Sequence, residues 1–519
     1  MLLYPSLMLP WAVSLVAATT PRIDTEPPMP SVVLDYTTLI AAAGNSSIGY
    51  YKYQNIRYAQ APVSGLRWSK PQWPIPECSP NTGSLAAPDV ACSTEEDCLF
   101  MDIWAPADAV GRNLPVMVFI HGGRFVRGAK SENSPEGLFD LSKDFIYVSY
   151  NYRLGMTGLA SGVTLNHEGA SSNVALWDVE HAFLWIRKYI TNFGGNPEDV
   201  AAVGFSAGAS QLLFQMTRFA GRGEQLFNKA WIMSPGYLPG AGNEQSESFW
   251  QNVSTAVGCA GGAVDCMRTV DFDTLNNAAT NISTAFGYAL QPRVDGDFVT
   301  DTYESLLYQN RFNFTGPLVI NHEQHEINSV AWPSVNTTAD IDTNLRIFFP
   351  SISDSVIAEI RKLYPEEDYS SPGLRFADMK QAWELTAHNL ALTHALKNQT
   401  WNGMIALGPA VHGTDQNYYF YTTYTLTNTT IVGGGAGGGG GPGGDKSIDP
   451  VIAIKMQKYL ISFVLTGDPN EMYLDDNIGW PLYDSSAEGT ELVFNTTFST
   501  QDDSLANEKS LFWNKALWY

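Results

Sequence analysis

The sequence predicts an α/β fold with a large, mostly parallel central sheet flanked by helices. Short runs rich in β-branched and aromatic residues alternate with longer runs that carry apolar residues at helical spacing. The strand-like runs are apolar throughout, which is typical of strands buried on both faces of a sheet. Strands of this kind alternating with such helices indicate an α/β architecture.

Five short apolar runs are predicted as strands of this sheet: residues 115–120, 145–150, 200–205, 229–234 and 317–321. Runs with apolar residues at helical spacing are predicted as helices: residues 178–193, 209–219 and about 450–465. The Gly-rich run at 433–445 cannot bury apolar surface, so we expect a loop there, with an inert insertion favoured over a functional lid. Because a helix follows this loop, residues 19–519 are predicted as a single domain.

Composition supports a large buried core and argues against two classes of partner. The chain of 519 residues is 44% hydrophobic and 12% aromatic. Its formal net charge is -23. A surface of this sign repels phosphate groups, so we expect no binding to nucleic acid or to anionic membrane surfaces.

The N-terminal segment predicts secretion. Residues 2–16 are apolar, and Val16 and Ala18 satisfy the small-residue rule for signal-peptide cleavage, so residues 1–18 are predicted as a signal peptide. The segment lacks Lys and Arg and is interrupted by two prolines, which keeps a buried N-terminal segment open as the alternative. No later run is apolar enough to span a bilayer, and we expect a secreted, extracellular protein.

Glycosylation triplets and cysteines fit the same route. Eight N-x-S/T triplets are predicted glycosylation sites on surface loops: Asn45, Asn252, Asn281, Asn313, Asn336, Asn398, Asn428 and Asn495. The five cysteines are Cys78, Cys92, Cys98, Cys259 and Cys266. The Gly-rich stretch between Cys259 and Cys266 can turn tightly enough to join them. An oxidising compartment favours two disulfides and one unpaired thiol.

Ser206 is the predicted nucleophile. It lies in GFSAGA, residues 204–209, between a predicted strand and a predicted helix, which is the context that a nucleophile elbow requires. Gly204 and Gly208 allow close backbone packing in the turn, and the hydroxyl faces the positive end of the helix. Because the G-x-S-x-G pattern is short, a small-residue turn without chemistry is the alternative.

A catalytic serine also needs a general base, an acid that orients the base, and N–H donors for the oxyanion. FIHGGRF, residues 119–125, follows a predicted strand, and the N–H groups of Gly123, Arg124 and Ala207 are the predicted donors. His412 lies in a loop flanked by glycines and is the predicted base. The alternatives are an ordinary loop and a structural histidine.

The orienting acid is expected between the serine and the histidine along the chain. Residues 317–328 contain two candidates, Glu323 and Glu326, which residue types alone do not separate. His322 and His325 lie beside them, but the pattern HEQHE is not the HExxH of a zinc site. No CxxC pair occurs either, so we expect no metal and no cofactor.

These motifs resemble, in order and over about residues 32–483, the type-B carboxylesterase/lipase family, the cholinesterase-like branch of the α/β-hydrolases. The similarity is carried by YQNIRYAQAPVSGLRW (53–68), EDCLFMDIW (96–104), FIHGGRF, SYNYRLG (149–155), the run 177–209, VHGTD (411–415), TGDPN (466–470) and WPLYD (480–484). The resemblance implies an α/β-hydrolase fold with Ser206 as nucleophile, His412 as base and Glu326 as acid.

The resemblance also implies scaffold features. It pairs Cys78 with Cys98 and Cys259 with Cys266, which leaves Cys92 unpaired. It implies structural ion pairs between Arg67 and Glu96 and between Arg153 and Asp178. Three side chains depart from the family pattern: Phe205 stands where many members carry Glu, Arg124 replaces the third glycine of the oxyanion loop, and Ile327 replaces the usual Gly after the acid.

The function implied is that of a secreted serine carboxylic ester hydrolase that acts through an acyl-enzyme. No Trp lies between Cys78 and Cys98, where cholinesterases carry their choline-binding Trp, so a quaternary ammonium substrate is not expected. The same stretch is short and polar, whereas lipases of this fold tend to have an apolar lid there. We therefore expect short-chain or aryl esters, with a triacylglycerol lipase and a non-catalytic adhesion or binding protein as the alternatives.

Overall fold

The computed structural model describes residues 28–238, 242–422, 448–474, 478–483 and 489–515. The predicted signal peptide, the Gly-rich run 433–445 and Asn428 lie outside the described residues. The strands within the described ranges are β1 (Ser31–Val33), β2 (Thr38–Ile40), β3 (Ala43–Asn45), β4 (Tyr50–Arg57), β5 (Phe100–Pro106), β6 (Leu114–Ile120), β7 (Ile146–Tyr150), β8 (Gly195–Phe205), β9 (Lys229–Met233), β10 (Leu318–Glu323), β11 (Trp401–Ile405), β12 (Thr490–Phe494) and β13 (Ser499–Asp502).

The helices within the same ranges are α1 (Glu136–Leu141), α2 (Gly155–Leu159), α3 (Val163–His167), α4 (Val174–Tyr189), α5 (Ala207–Gly221), α6 (Asn243–Ala256), α7 (Val264–Thr269), α8 (Phe272–Phe286), α9 (Tyr303–Tyr308), α10 (Thr338–Phe348), α11 (Asp354–Leu363), α12 (Pro372–Gln381), α13 (Ala387–Ala395), α14 (Thr414–Tyr419), α15 (Pro450–Thr466) and α16 (Glu508–Asn514). A π-helical turn, Ala382–Thr386, joins α12 to α13. The predicted strands correspond to β6–β10, and the predicted helices to α4, α5 and α15.

Within the described residues, a sheet of eleven strands forms the centre, in the order β13-β12-β11-β10-β9-β8-β6-β7-β5-β4-β3. The strands from β6 to β12 run parallel to their neighbours. Antiparallel strands extend the sheet at both edges. The prediction of a large, mostly parallel sheet is confirmed.

Both faces of the sheet are covered, which explains why its central strands are apolar throughout. In β6, Val116, Val118 and Ile120 pack in the same buried cluster as α4 and α5. Met117 and Phe119 point to the other face and pack in the cluster that contains α15. Alternate residues of one strand therefore enter two separate cores.

The parallel register brings the functional loops to one edge of the sheet. Gly204 of β8 lies beside Ile120 of β6 and Ile232 of β9. Asn321 of β10 lies beside Met233, and Glu323 lies beside Ile405 of β11. Because these strands run in one direction, the loops that follow them meet at the carboxyl edge, where α/β folds bind ligands.

The predicted bridge between Cys78 and Cys98 is wrong, because Cys98 is bonded to Cys92 and Cys78 is an exposed free thiol. The N–H groups of Thr94 and Glu95 both donate to the carbonyl of Ala91, which folds the segment back on itself. This turn places the Cα atoms of Cys92 and Cys98 5.1 Å apart, well within the range of disulfides. Cys92 is therefore not the unpaired cysteine.

The other predicted scaffold contacts are present. Cys259 and Cys266 form a disulfide. Arg67 forms an ion pair with Glu96, which lies in the short loop closed by the first disulfide. In the buried pair, Arg153 Nη2 lies 2.7 Å from Asp178 Oδ1.

All predicted glycosylation positions within the described residues keep some exposure to solvent. Asn45, Asn281 and Asn336 are exposed, and Asn252, Asn313, Asn398 and Asn495 are partly exposed. The prediction that they lie on loops is wrong for three of them, since Asn45 ends β3, Asn252 lies in α6 and Asn281 lies in α8. These helices leave one face to solvent, so a helical asparagine is still accessible. In the described part of the chain, no helix combines the length and apolar character needed to cross a membrane.

Candidate active site

Ser206 lies at a sharp turn between β8 and α5. Its backbone has φ 54° and ψ -122°, a conformation that non-glycine residues rarely adopt and that clusters at functional sites. A Cβ on Gly204 would lie 2.6 Å from the carbonyl oxygen of Gly208, and one on Gly208 would lie 2.1 Å from that of Ile120. Both glycines are therefore required by the close approach of strand and helix. The Ser206 N–H donates to the Met233 carbonyl at 2.8 Å.

A chain of hydrogen bonds joins Ser206, His412 and Glu326. His412 Nε2 lies 2.8 Å from Ser206 Oγ, and Nδ1 lies 2.7 Å from Glu326 Oε2. An ionised carboxylate only accepts, so Nδ1 carries the proton and Nε2 is left to accept from the serine hydroxyl. Ser206 and Glu326 are 4% and 2% exposed, so both hydrogen-bond partners of the imidazole are shielded from water.

The position of Glu326 is fixed by its neighbours. Its Oε1 accepts from the Glu323 N–H at 2.9 Å, and its carbonyl accepts from the His412 N–H at 3.0 Å. Ile327, the departure from the family glycine, donates its N–H to Gln381 Oε1 at 3.1 Å. The two loops that carry the acid and the base are therefore joined by backbone as well as side-chain contacts.

Glu323, the other candidate acid, is buried beside Asp415, and His412 Nδ1 is bonded to Glu326 instead. Glu323 Oε1 accepts from the Asp415 N–H at 2.8 Å. Burial, and then the charge of Asp415, raise the pKa of Glu323 well above its usual range. Burial also raises the pKa of Asp415 to about 6. Burial therefore favours the protonated form of both carboxyl groups. The sequence alone did not indicate that Asp415 lies beside Glu323.

The predicted oxyanion loop passes directly over Ser206. A Cβ on Gly122 would lie 2.9 Å from the Cβ of Ser206. Gly123 has φ 104° and Arg124 has φ 57°, and a Cβ on Gly123 would lie 2.1 Å from the carbonyl oxygen of Arg127, so only glycine fits there. Ala207 is the first residue of α5, where the N–H has no acceptor within the helix. The three predicted donors thus belong to two segments that border the serine.

The remaining histidines near these motifs have structural surroundings. His121 stacks on Tyr152 with ring centroids 4.6 Å apart, and burial lowers its pKa to about 4. His388 Nδ1 lies 2.7 Å from Glu304 Oε1. Over the described ranges, no group of three or more His, Cys, Asp or Glu side chains is placed to hold a metal ion.

Two residues that the sequence did not single out border the serine hydroxyl. The Gly236 N–H donates to the Ser206 carbonyl at 3.1 Å. A Cβ on Gly236 would lie 3.3 Å from Ser206 Oγ and 3.2 Å from Leu385 Cδ2. Leu385 lies on the π-helical turn, a feature often found at functional sites. Phe205 covers the imidazole of His412, with ring centroids 4.9 Å apart.

Comparisons with known proteins agree with this architecture. The sequence profile described as "Carboxylesterase family" matches residues 40–513. The chain is 25% identical to "Carboxylesterase patB" of Penicillium expansum over 90% of this chain and 91% of that one. It is 25% identical to "Secreted lipase" of Arthroderma benhamiae over 77% and 78%. The crystal structure of Aspergillus niger EstA shares the fold with a TM-score of 0.80 at 20% identity, over 94% of this chain and 98% of that one.

Proposed function

From the premise that the chain belongs to the carboxylesterase family and is a carboxylic ester hydrolase, we propose that it is a secreted serine esterase for short-chain or aryl esters. The observation that supports the catalytic assignment is the hydrogen-bonded chain from Glu326 through His412 to Ser206. Each member has the donor or acceptor role that serine catalysis requires.

In the proposed reaction, His412 Nε2 takes the proton of Ser206 as Oγ attacks the ester carbonyl carbon. Glu326 holds the imidazole in the required tautomer and stabilises its cation. The tetrahedral intermediate collapses, and the alkoxide leaves with the proton from His412. Water, activated by the same imidazole, then hydrolyses the acyl-enzyme and releases the acid. Activity is expected to fall at acid pH, because a protonated imidazole cannot accept the serine proton.

The oxyanion of the tetrahedral intermediate is proposed to accept hydrogen bonds from the N–H groups of Gly123, Arg124 and Ala207. These donors are backbone groups held by a strained turn and by a helix end, so they need no reorganisation during the reaction. Removing one such donor usually lowers the rate by about a hundredfold or more. The positive end of α5 adds to the stabilisation of negative charge.

The short disulfide loop favours short-chain or aryl esters as substrates. The Cys92–Cys98 bridge closes a loop of residues 93–97, STEED, which contains three acidic residues. So short and charged a loop cannot serve as an apolar cover for long acyl chains. A triacylglycerol lipase is the second candidate, and the name of the Arthroderma benhamiae relative supports it.

The experiment is hydrolysis of p-nitrophenyl acetate, butyrate and palmitate by the purified protein, beside Ser206→Ala and His412→Ala. The proposal expects turnover of acetate and butyrate that both variants lose while remaining folded by circular dichroism. Preference for palmitate would favour the lipase instead. Wild-type turnover that survives in Ser206→Ala would overturn the catalytic assignment.

Secretion is a separate part of the proposal and needs its own measurement. The apolar N-terminal segment, the glycosylation triplets and the secreted relative support it. Expressed from its full sequence in a eukaryotic host, the protein is expected in the medium with Thr19 as its first residue. Digestion with an endoglycosidase is expected to lower its mass. Retention in the cell with an intact N-terminus would contradict secretion.

A further inference from the structure

Arg124 departs from the family pattern, and its side chain has no role in the proposed mechanism. Its backbone belongs to the oxyanion loop, and Gln291 Nε2 donates to its carbonyl at 3.3 Å. Its side chain is 43% exposed. Its guanidinium makes no hydrogen bond to any residue in the described part of the chain. The nearest carboxylate oxygen, Glu384 Oε1, lies 4.0 Å away, beyond hydrogen-bond distance.

The carboxylate of Glu384 is already engaged by another cation. Lys380, one helical turn earlier, forms an ion pair with it, and the Lys380 side chain is 2% exposed. Trp332 and Phe348 surround the Lys380 ammonium at 5.1 and 5.4 Å from their ring centroids. Arg124 and Lys380 thus share a single carboxylate.

Glu384 is thus the carboxylate nearest to both cations, and it pairs only loosely with the Arg124 guanidinium. Burial lowers the pKa of Lys380 well below its usual range, and the charge of Arg124 lowers it further. The charge of Arg124 thus acts on the buried Lys380, although the chain as a whole carries a net charge of -23. An anion placed beside Arg124 would offset that charge.

This charge lies next to the reaction centre. Glu384 is followed by Leu385. A Cβ on Gly236 would be in close contact with both Leu385 Cδ2 and Ser206 Oγ, so Leu385 lies near the serine hydroxyl. The carbonyl of Glu384 accepts from the Tyr237 N–H at 3.0 Å, which ties the π-helical turn to the loop after β9. Arg124 itself follows Gly123, a predicted oxyanion donor. The Arg124 side chain therefore extends from the oxyanion loop toward the π-helical turn that carries Glu384 and Leu385.

We propose that Arg124 binds a carboxylate of the substrate, so that the enzyme prefers esters that bear a second, ionised carboxylate near the scissile bond. A guanidinium offers a planar fork of N–H donors that matches a carboxylate with two parallel hydrogen bonds. This specificity rests on the proposed esterase function and deepens it. The chemistry at Ser206 is unchanged, because Arg124 only positions the charged part of the ester.

The test compares two matched pairs of esters that differ by one charge. The first pair, mono-4-nitrophenyl adipate and its methyl ester, carries the charge on the acyl side. The second pair, 4-acetoxybenzoate and its methyl ester, carries it on the leaving group. For each pair the measured quantity is kcat/KM of the charged ester divided by that of the neutral one. Any general damage to the oxyanion loop lowers both members and cancels in this ratio.

Arg124→Gln is expected to lower the ratio about tenfold to a hundredfold in at least one pair, the usual effect of losing a charged hydrogen bond. Arg124→Lys, which keeps the charge, is expected to retain part of the preference. Arg112→Gln is the matched control, because Arg112 lies before β6 at the opposite end of the strand and pairs with Asp108 and Asp144. A ratio unchanged by Arg124→Gln in both pairs would overturn the proposal.

A measurement on the wild type alone covers the case in which Arg124→Gln does not fold. Benzoate is expected to inhibit hydrolysis of 4-nitrophenyl acetate competitively at lower concentration than the neutral benzamide, and added salt is expected to weaken this inhibition. Equal inhibition by the two compounds would contradict an anion subsite. Wild-type protein that hydrolyses none of the esters would instead refute the proposed esterase function, so the two failures are distinguishable.

Discussion

Gly236→Ala tests whether the space beside Ser206 Oγ receives the acyl group. The added methyl would lie 3.3 Å from Ser206 Oγ and 3.2 Å from Leu385 Cδ2. Ordinary contacts between non-bonded carbon atoms are about 3.5 to 4.0 Å, so the overlap is a few tenths of an ångström. The Gly236 backbone does not have positive φ, so alanine introduces no backbone strain there.

The structure separates the effect on stability from the effect on activity. Leu385 can rotate to relieve the overlap, so the free energy of unfolding is expected to fall by about 1 kcal/mol or less. The Tm of the Gly236→Ala protein is expected to differ from that of the wild type by about 2 °C or less. One methyl group in an apolar pocket is typically worth about 10- to 200-fold in discrimination. We therefore expect kcat/KM for p-nitrophenyl butyrate to fall at least about tenfold relative to that for the acetate.

The assay is the butyrate-to-acetate ratio of kcat/KM, measured beside the Tm. Gly65→Ala is the matched control, because a Cβ on Gly65 meets no atom within 4 Å. Its ratio should equal that of the wild type. A Gly236→Ala protein with an unchanged ratio would refute the placement of the acyl group beside Gly236.

Three other predictions concern the acid, the carboxyl pair behind it and the disulfide. Glu326→Gln is expected to lower kcat by about 10³- to 10⁴-fold without unfolding, as in other triads that lose the orienting carboxylate, and a loss below tenfold would contradict its role. Because burial raises the folded-state pKa of Glu323 above that of the unfolded chain, this group lowers the stability of the wild type progressively as pH rises above the unfolded pKa. Glu323→Gln removes that loss, so its Tm from pH 5 to pH 8 should fall less steeply than that of the wild type; parallel curves would refute the raised pKa. Under native, non-reducing conditions a maleimide should label Cys78 alone, and labelling of Cys92 or Cys98 would contradict the pairing. Cys92→Ser should lower the free energy of unfolding by about 2 kcal/mol, whereas Cys78→Ser should leave it unchanged.

The sequence was sufficient for those features that depend on local pattern. The strands β6–β10 were predictable because burial on both faces makes them apolar throughout. The turn at Ser206 was predictable because two backbone approaches admit only glycine at Gly204 and Gly208. The parallel register then brings His412 and Glu326 to the serine, since their loops follow neighbouring strands.

Three other features were not predicted in this way. The Cys92–Cys98 bridge depends on a local turn that the family resemblance overrode. The pair of Glu323 and Asp415 forms because β10 and α14 meet in space, and neither residue type signals it alone. The position of Leu385 on a π-helical turn has no recognisable sequence pattern.

The central claim is that Ser206 is an activated nucleophile that becomes acylated. The most direct measurement is labelling of the purified protein with a fluorophosphonate, followed by mass spectrometry of its peptides, beside Ser206→Ala and His412→Ala. We expect one equivalent of label on Ser206, none on Ser206→Ala, and strongly slowed labelling of His412→Ala. A folded wild-type protein that takes up no label, or carries it on another serine, would contradict the role of Ser206 as the nucleophile.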